Sequence, residues 1–325
     1  TGGAGCIGLQ VCRELLKRGI EPVILDLGEQ INVIKEQLDG FKIFYGSILD
    51  YSTIREAING CDAVIHLAAY LGVRRTEINK LRCLEINIEG TKNVLEASVS
   101  YGIDKIVFAS SSEVYGEPIK NPITENDITQ GKTVYAASKI AGEELVKAYH
   151  ESFKNLNFTI LRYFNTYGPN QVAQFVIPKF INNVMNGISP EVYGDGSQLR
   201  GYTFSKDTAI ATVDSLFSKG TNGKILNIGN SDNFIDLITL ANLIISICKK
   251  EDTIKVKINN NFINSDRDQS REIFKRYCST KKAKRLINFS PKVSLEEGIR
   301  SIIDNGPIQS EWATSEKEYS ISKTD

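Results

Sequence analysis

The chain is predicted to be an α/β protein built on a doubly wound parallel sheet, and three observations predict it. The first eight residues, Thr1-Gly2-Gly3-Ala4-Gly5-Cys6-Ile7-Gly8, space their glycines as G-x-x-G-x-x-G and open into helical periodicity at Ile7, Val11, Leu15 and Leu16. Short continuous apolar runs then alternate with amphipathic segments, as expected for strands covered on both faces. The first such run, Val23-Ile24-Leu25, ends in Asp26. That is near the position, about 20 residues beyond the loop, where dinucleotide-binding folds place an acid for the adenosine ribose.

Each element adds its own expectation. Glycines in the opening loop permit a tight turn and let a pyrophosphate meet bare backbone at a helix N-terminus. A buried strand should precede such a loop, yet Thr1 opens the sequence, so the native product is expected to extend upstream. Phe41–Tyr45 reads as the next strand, with Gly46-Ser47-Ile48 as the loop at its end. Ala63–His66 runs into the small-residue loop Leu67-Ala68-Ala69. Glu85–Tyr101 carries a helical pattern, and Lys105–Ala109 is a further strand.

Ser110-Ser111-Ser112-Glu113 follows that strand, at the carboxyl edge where open α/β sheets carry their chemistry. A serine-rich turn capped by a glutamate would read the same way. Tyr135 and Lys139 begin the next helix one turn apart, on one face. An ammonium so placed favours phenolate, which a general base requires. Phe158–Arg162 is a strand leading to Tyr163-Phe164-Asn165. Beyond it, helices are expected near Phe175–Met185, Lys206–Lys219, Ile235–Lys250 and Leu295–Ile303. Strands are expected near Pro190–Tyr193, Arg200–Phe204 and Lys224–Ile228.

Composition narrows the function. Among 325 residues, Lys+Arg and Asp+Glu both number 39, so no net field draws the chain to nucleic acid or an anionic membrane. No apolar run reaches a membrane span. The 6 cysteines are scattered without C-x-x-C pairs and suit a reduced, cytoplasmic protein. With 2 histidines, His66 and His150, neither a histidine zinc site nor a Ser-His-Asp hydrolase is expected, and no metal site is predicted.

The glycine loop, the serine cluster and the Tyr135/Lys139 pair together resemble the extended short-chain dehydrogenase/reductases, in their NAD-dependent sugar-nucleotide epimerase/dehydratase branch. His66-Leu-Ala-Ala69, Asn87-Ile-Glu-Gly-Thr91, Leu161–Asn165 with Tyr167-Gly-Pro169, and Pro291–Gly298 extend the likeness to about Arg300. The resemblance implies a Rossmann-like NAD domain over 1–165, with 206–230 returning to it. A smaller α/β substrate domain would comprise 166–205 and 231–305, with 306–325 a flexible tail.

It also implies roles. Tyr135 would be the base, Lys139 would hold the nicotinamide ribose, and Ser111 would bond the reacting oxygen. Gly2, Gly5, Ile7 and Gly8 would cradle pyrophosphate, and Asp26 would take the ribose. Ser47 and Ile48 would border adenine, while Leu67, Ala68, Ala69, Asn87 and Tyr163 would line the remaining NAD path. Arg74, Ser112, Asn165, Arg200 and either Arg271 or Arg276 would meet a nucleotide-sugar, expected to be a UDP-sugar. A homodimer would form through Glu85–Tyr101 and Tyr135–His150, with Val99, Tyr101, Leu145 and Tyr149 as contacts.

The implied reaction is carbon-4 epimerisation through a transient 4-keto sugar. Ser112-Glu113 stands where dehydratases carry an Asp-Glu pair, which argues against 4,6-dehydration. The Ser-Glu pair itself resembles sugar-uronate decarboxylases, whereas Gly72-Val73-Arg74 resembles epimerases. UDP-glucuronate decarboxylation, or the reaction of another NAD-dependent sugar-nucleotide dehydratase, is therefore the alternative, and a non-catalytic NAD-bound regulator a distant one. Ser47, Asn170, Gly201 and Lys206 depart from the family pattern, mostly in the substrate half.

Overall fold

The computed structural model describes residues 1–231, 234–260, 273, 275–306 and 308–309. The chain runs α1 (Cys6–Lys17), β1 (Val23–Asp26), α2 (Gly28–Val33), β2 (Lys42–Tyr45), α3 (Tyr51–Ile58) and β3 (Ala63–His66). It continues through α4 (Val73–Ile78), α5 (Lys80–Leu84), α6 (Gly90–Ser100), β4 (Lys105–Ser111), α7 (Val134–Ser152) and β5 (Asn157–Tyr163). Next come β6 (Thr166–Tyr167), α8 (Val176–Met185), β7 (Glu191–Tyr193), β8 (Leu199–Arg200), β9 (Thr203–Phe204) and α9 (Ser205–Phe217). Last are β10 (Lys224–Ile228), α10 (Leu237–Ile247), β11 (Lys257–Asn259), β12 (Lys275–Arg276), α11 (Lys281–Ile287) and α12 (Leu295–Asp304).

Strands β10, β5, β4 and β3 lie side by side in that order, all parallel, and β1 pairs parallel with β2. Thr1 and Gly2 join the two groups. The Thr1 amino group donates to the Ile65 carbonyl at 2.9 Å, Leu67 N donates to the Thr1 carbonyl at 3.1 Å, and Gly2 N donates to the Leu25 carbonyl at 2.9 Å.

The apolar strand runs are continuous because each face meets helices. On β4, Ile106 and Phe108 join a core with Ile54, Val94 and Val146 of α3, α6 and α7. Val107 and Ala109, between them, pack the other way, against Ala211 of α9 and Ala283 and Ile287 of α11. Period-two alternation thus survives in contacts where it is invisible in hydropathy. A second core gathers Ile177, Phe180 and Ile181 of α8, Leu240 and Ile244 of α10, and Ile299 and Ile302 of α12.

Several elements differ from their sequence expectation. The helix over 85–101 is interrupted by a π turn at Glu85–Glu89 before α6, so its first residues face differently from a regular helix. The extended piece at 200–204 is two separate two-residue strands, because Arg200 pairs towards β12 and Thr203 towards β6. Helices α2 to α5 and α11 are short, and their residues offer too few turns for apolar periodicity to stand out. The expected tail beyond 309 lies outside the described residues.

Candidate active site

The opening loop is shaped by backbone crowding. A side chain on Gly8 would overlap the Gly2 carbonyl oxygen, and one on Gly2 would lie 2.6 Å from Ala68 N. Gly2 also has φ +71°, a left-handed conformation that glycine adopts without strain. Helix α1 starts after Gly5 with no side-chain cap and no acid in its first turn. Its leading amides are therefore matched to an external anion such as a pyrophosphate. Asp26 Oδ2 accepts from Ala4 N and Oδ1 from Leu27 N, both at 2.8 Å, which ties the carboxylate to the loop. Burial pushes this carboxyl above its ordinary range, with the two amides and the chain amino group opposing. An uncapped helix start beside a glycine turn, with a carboxylate tied to the same loop, fits a dinucleotide.

Ser47 lies at the end of β2, its Oγ accepting from Leu49 N at 3.1 Å. Ile48 is buried against Gly90 of α6, where a methyl group would collide with it. Leu67, Ala68 and Ala69 are half-buried beside Gly2. Asn87 requires a correction. It is 3% exposed, and its amide is spent inside the protein: Oδ1 accepts from Tyr70 N at 2.7 Å, while Nδ2 donates to the Tyr70 carbonyl at 3.0 Å and to Ser138 Oγ at 2.9 Å. It fastens the 68–70 loop to α7 instead of presenting itself to a ligand. Tyr163 is likewise turned into the core, its hydroxyl paired with Thr212 Oγ1 at 2.8 Å.

Strand β4 ends at Ser111 and α7 begins at Val134, so Ser111, Tyr135 and Lys139 meet at the sheet's carboxyl edge. Thr133 caps the helix, accepting from Ala136 N at 3.1 Å, and its hydroxyl donates to Glu113 Oε2 at 3.2 Å. The Ser111 hydroxyl lies near enough to the Tyr135 phenol to favour its ionised form. Burial, followed by the charge of Glu113, nevertheless pushes the phenol well above its ordinary value. The expected depression by Lys139 is absent in the ligand-free chain. The Lys139 ammonium lies 5.8 Å from the Tyr135 ring centre and donates to the Ala109 carbonyl at 2.8 Å. Burial lowers Lys139 itself to about 8, which leaves it largely protonated at neutral pH with two further N–H groups to offer. Ser112 is 2% exposed beneath this loop, about as buried as Lys139.

On the other side of the cleft Asn165 has φ +40°, strained for a residue with a side chain, and donates from Nδ2 to the Gly201 carbonyl at 3.3 Å. Arg200 and Arg276 are register partners across β8 and β12, which places the two arginines opposite each other on neighbouring strands. Arg200 is 6% exposed, donating to the Leu199 carbonyl at 3.0 Å and to the Ile273 carbonyl. Arg271 lies outside the described residues. Arg74 is exposed, whereas its neighbour Arg75 is buried with its guanidinium 4.0 Å from the Tyr70 ring centre.

Two contributors escaped the sequence. Asp207 Oδ2 accepts from Lys292 N and Val293 N, each at 3.0 Å, and so ties the 291–298 motif to α9. Its neighbour Lys206 had drawn attention as a departure, although the adjacent acid was present all along. Asn170 and Gln37 exchange side-chain amide hydrogen bonds at 3.1 and 3.2 Å, linking the 165–170 loop to the nucleotide half. Among the described residues no group of three His, Cys, Asp or Glu side chains could hold a metal ion. No described helix is long and apolar enough to cross a membrane.

Comparison with known proteins matches this geometry. Residues 1–229 match the model of the NAD dependent epimerase/dehydratase family. The chain is 36% identical over 313 residues to a UDP-N-acetyl-alpha-D-glucosaminuronate decarboxylase of Bacillus cytotoxicus, covering 93% of this chain and 95% of that protein. It is 34% identical over 310 residues to a putative UDP-glucose 4-epimerase of Methanocaldococcus jannaschii, covering 94% and 96%. The crystal structure of UDP-glucuronic acid 4-epimerase from Bacillus cereus, with UDP-glucuronic acid and NAD, superposes with TM-score 0.83 at 28% identity, over 94% of this chain and 96% of that one. The chain belongs to the NAD-dependent epimerase/dehydratase family of Rossmann-fold enzymes that act on sugar nucleotides.

Proposed function

We propose that the protein is a carbon-4 epimerase of a UDP-sugar, working through a transient 4-keto sugar on tightly held NAD. The observation that carries this reading is the convergence of Ser111, Tyr135 and Lys139 at the carboxyl edge of a sheet that also carries a glycine loop with an uncapped helix start.

Gly2, Gly5, Ile7, Gly8 and Asp26 would hold the cofactor's phosphates and ribose, and Lys139 would turn a free N–H to the second ribose. When bound, NAD⁺ supplies a hydride acceptor that can return the hydride, and a positive ring beside the phenol. Tyr135 Oη takes the proton of the C4 hydroxyl while Ser111 Oγ holds the same oxygen, so the O–H and C4–H bonds break as the C4=O bond forms. Asn165, Arg200 and Arg276 would grip the nucleotide diphosphate while the keto-sugar turns over. Tyr135 would then return its proton to the C4 oxygen as the hydride is restored to C4 from the opposite face, which re-forms the O–H and C4–H bonds with inverted configuration. Burial and the charge of Glu113 raise the phenol above its ordinary value. Binding of a positive ring is therefore what would bring it into the range of a base.

Glu113 bears on the choice of substrate without settling it, since its charge acts on Tyr135. A carboxylate there repels a uronate carboxylate, which favours a sugar with a neutral carbon 6. The second reading is decarboxylation of a UDP-uronate, supported by the orientation of Glu113 by Thr133 and by the B. cytotoxicus relative. Incubation with UDP-glucose, UDP-N-acetylglucosamine, UDP-glucuronate and UDP-N-acetylglucosaminuronate, without added NAD, separates them. A C4 epimer without gas supports epimerisation, whereas CO₂ with a pentose product refutes it.

Residues 1–165 with 206–230 form the cofactor half in this reading, and 166–205 with 231–305 the substrate half. A homodimer through the outer faces of α6 and α7, including Val99, Tyr101, Leu145 and Tyr149, is part of the same proposal. Light scattering at the monomer mass would remove it.

A further inference from the structure

On α7, Tyr135, Lys139 and Glu143 follow one another at i, i+4 spacing and so share a face. The first two belong to the chemistry proposed above, on which this inference rests. The third is buried and bonded on every side. Glu143 Oε1 accepts from Ser110 Oγ at 2.5 Å and from Arg162 Nε at 2.8 Å, and Oε2 accepts from Arg162 Nη2 at 2.6 Å. The side chains of Arg162 and Glu143 are 3% and 2% exposed. Arg162 is in turn fixed by the Tyr115 ring, 4.7 Å from its guanidinium, while Tyr115 Oη donates to Asn227 Oδ1 of β10 at 2.7 Å.

These bonds land on consecutive residues of one strand. Lys139 reaches Ala109, Glu143 reaches Ser110, and Gly142 lets α7 approach Phe108 so closely that a methyl would lie 2.6 Å from the ring. The next residue is Ser111. We propose that Glu143 is a positioning residue: locked by Arg162 and holding Ser110, it seats α7 on β4 so that Tyr135 and Lys139 face Ser111. A pair serving stability alone could be replaced by apolar side chains with little loss, and often with gain. Placement on the catalytic face, one residue from Ser111, is what points beyond stability.

Glu143 also supports the charge of Lys139. The groups facing that ammonium are Cys83 of α5, His66 of β3, and Tyr135 and Glu143 of α7, with Glu113 beyond the phenol. Burial raises the Cys83 thiol and lowers His66 well below its usual range, so both are uncharged at neutral pH. Glu143 remains as the carboxylate that favours the ammonium. Removing it should move Lys139 titration to lower pH.

The test uses the paired variant Glu143→Leu/Arg162→Met, which leaves no buried charge, together with Ser110→Ala, which removes one hydroxyl. Melting and circular dichroism establish folding. NMR titration of isotope-labelled lysine reads Lys139 without any turnover, and reduction of bound NAD by nucleotide-sugar reads the first chemical step for either product. For the folded pair the expected outcome is kcat down about 10²-fold with KM little changed, and a Lys139 midpoint moved from its wild-type position. Ser110→Ala should lower kcat in the same direction with the Lys139 midpoint unmoved. A folded pair with wild-type kcat and an unmoved Lys139 midpoint overturns the inference. Absence of NAD reduction by the wild-type protein instead counts against the proposed function, and the lysine titration then still decides the role of Glu143.

Discussion

The two sides of the cleft are built differently. The side carrying Ser111, Tyr135 and Lys139 rests on seven-residue strands β4 and β5 in continuous parallel register, with a nineteen-residue helix pressed on them. The side carrying Asn165, Arg200 and Arg276 rests on two-residue strands paired with distant segments. In the first, geometry follows from regular spacing and is fixed by many cooperative bonds. In the second, each residue is placed by a few long-range backbone contacts, which can shift at lower cost. In the proposed reaction the chemical groups are thus held rigidly, while the region proposed to admit the sugar is held lightly.

Four outcomes sharpen or break that contrast. The largest concerns the rigid side: Tyr135→Phe should lower kcat by about 10²–10⁴-fold with the fold intact. Wild-type turnover in a steady-state assay would remove Tyr135 from the chemistry. On the lighter side, Arg200→Gln should raise KM for the nucleotide-sugar by about 10–100-fold with a smaller change in kcat, consistent with loss of a charge-assisted bond worth about 1.5–3 kcal/mol. A kcat effect without a KM effect would place Arg200 outside diphosphate binding.

Gly8→Ala comes next, because the new methyl overlaps the Gly2 carbonyl. Overpacking of this kind costs about 1–3 kcal/mol and should weaken NAD retention on gel filtration; full retention with an unchanged melting temperature would show that the loop can yield.

The smallest effect is pH dependence. Lys139 titrates at about 8 in the fold, below its ordinary value, so the folded state binds fewer protons than the unfolded chain above that pH. Its burial penalty is therefore fully present below about 8 and is relieved as pH rises from there towards the unfolded value of 10.5. Activity should move oppositely, falling as the ammonium is lost above about 8. A kcat profile flat through that range would separate Lys139 charge from catalysis. Lys105, buried and also lowered to about 8, contributes to stability with the same sign but lies away from the cleft, bonded to Ser215, Ser218 and Thr221.

The same contrast explains what the sequence made legible. Tyr135 and Lys139, four positions apart, share a face by helical geometry alone, and Ser111 ends a strand that its apolar run announces. Asp26 is readable for the same reason. Asn87, Ser112 and Tyr163 sit inside equally recognisable motifs, yet the direction of each side chain depends on partners elsewhere: Tyr70 and Ser138 for Asn87, and Thr212 for Tyr163. A motif marks position and not orientation. The pairing of Arg200 with Arg276 was least legible, because two-residue strands leave no periodicity and their partners are far apart in sequence. The phenol's upward shift was hidden as well, since it depends on burial and Glu113 and not on the Tyr-Lys spacing.

The central claim is reversible hydride transfer at carbon 4 with Tyr135 as proton acceptor. Its most direct test is UDP-glucose deuterated at carbon 4, incubated with the purified protein without added NAD and followed by NMR. The account predicts UDP-galactose that keeps its deuterium at carbon 4, formed by the wild type and not by Tyr135→Phe. Deuterium lost to solvent, or an epimer formed equally well by the phenylalanine variant, would contradict it.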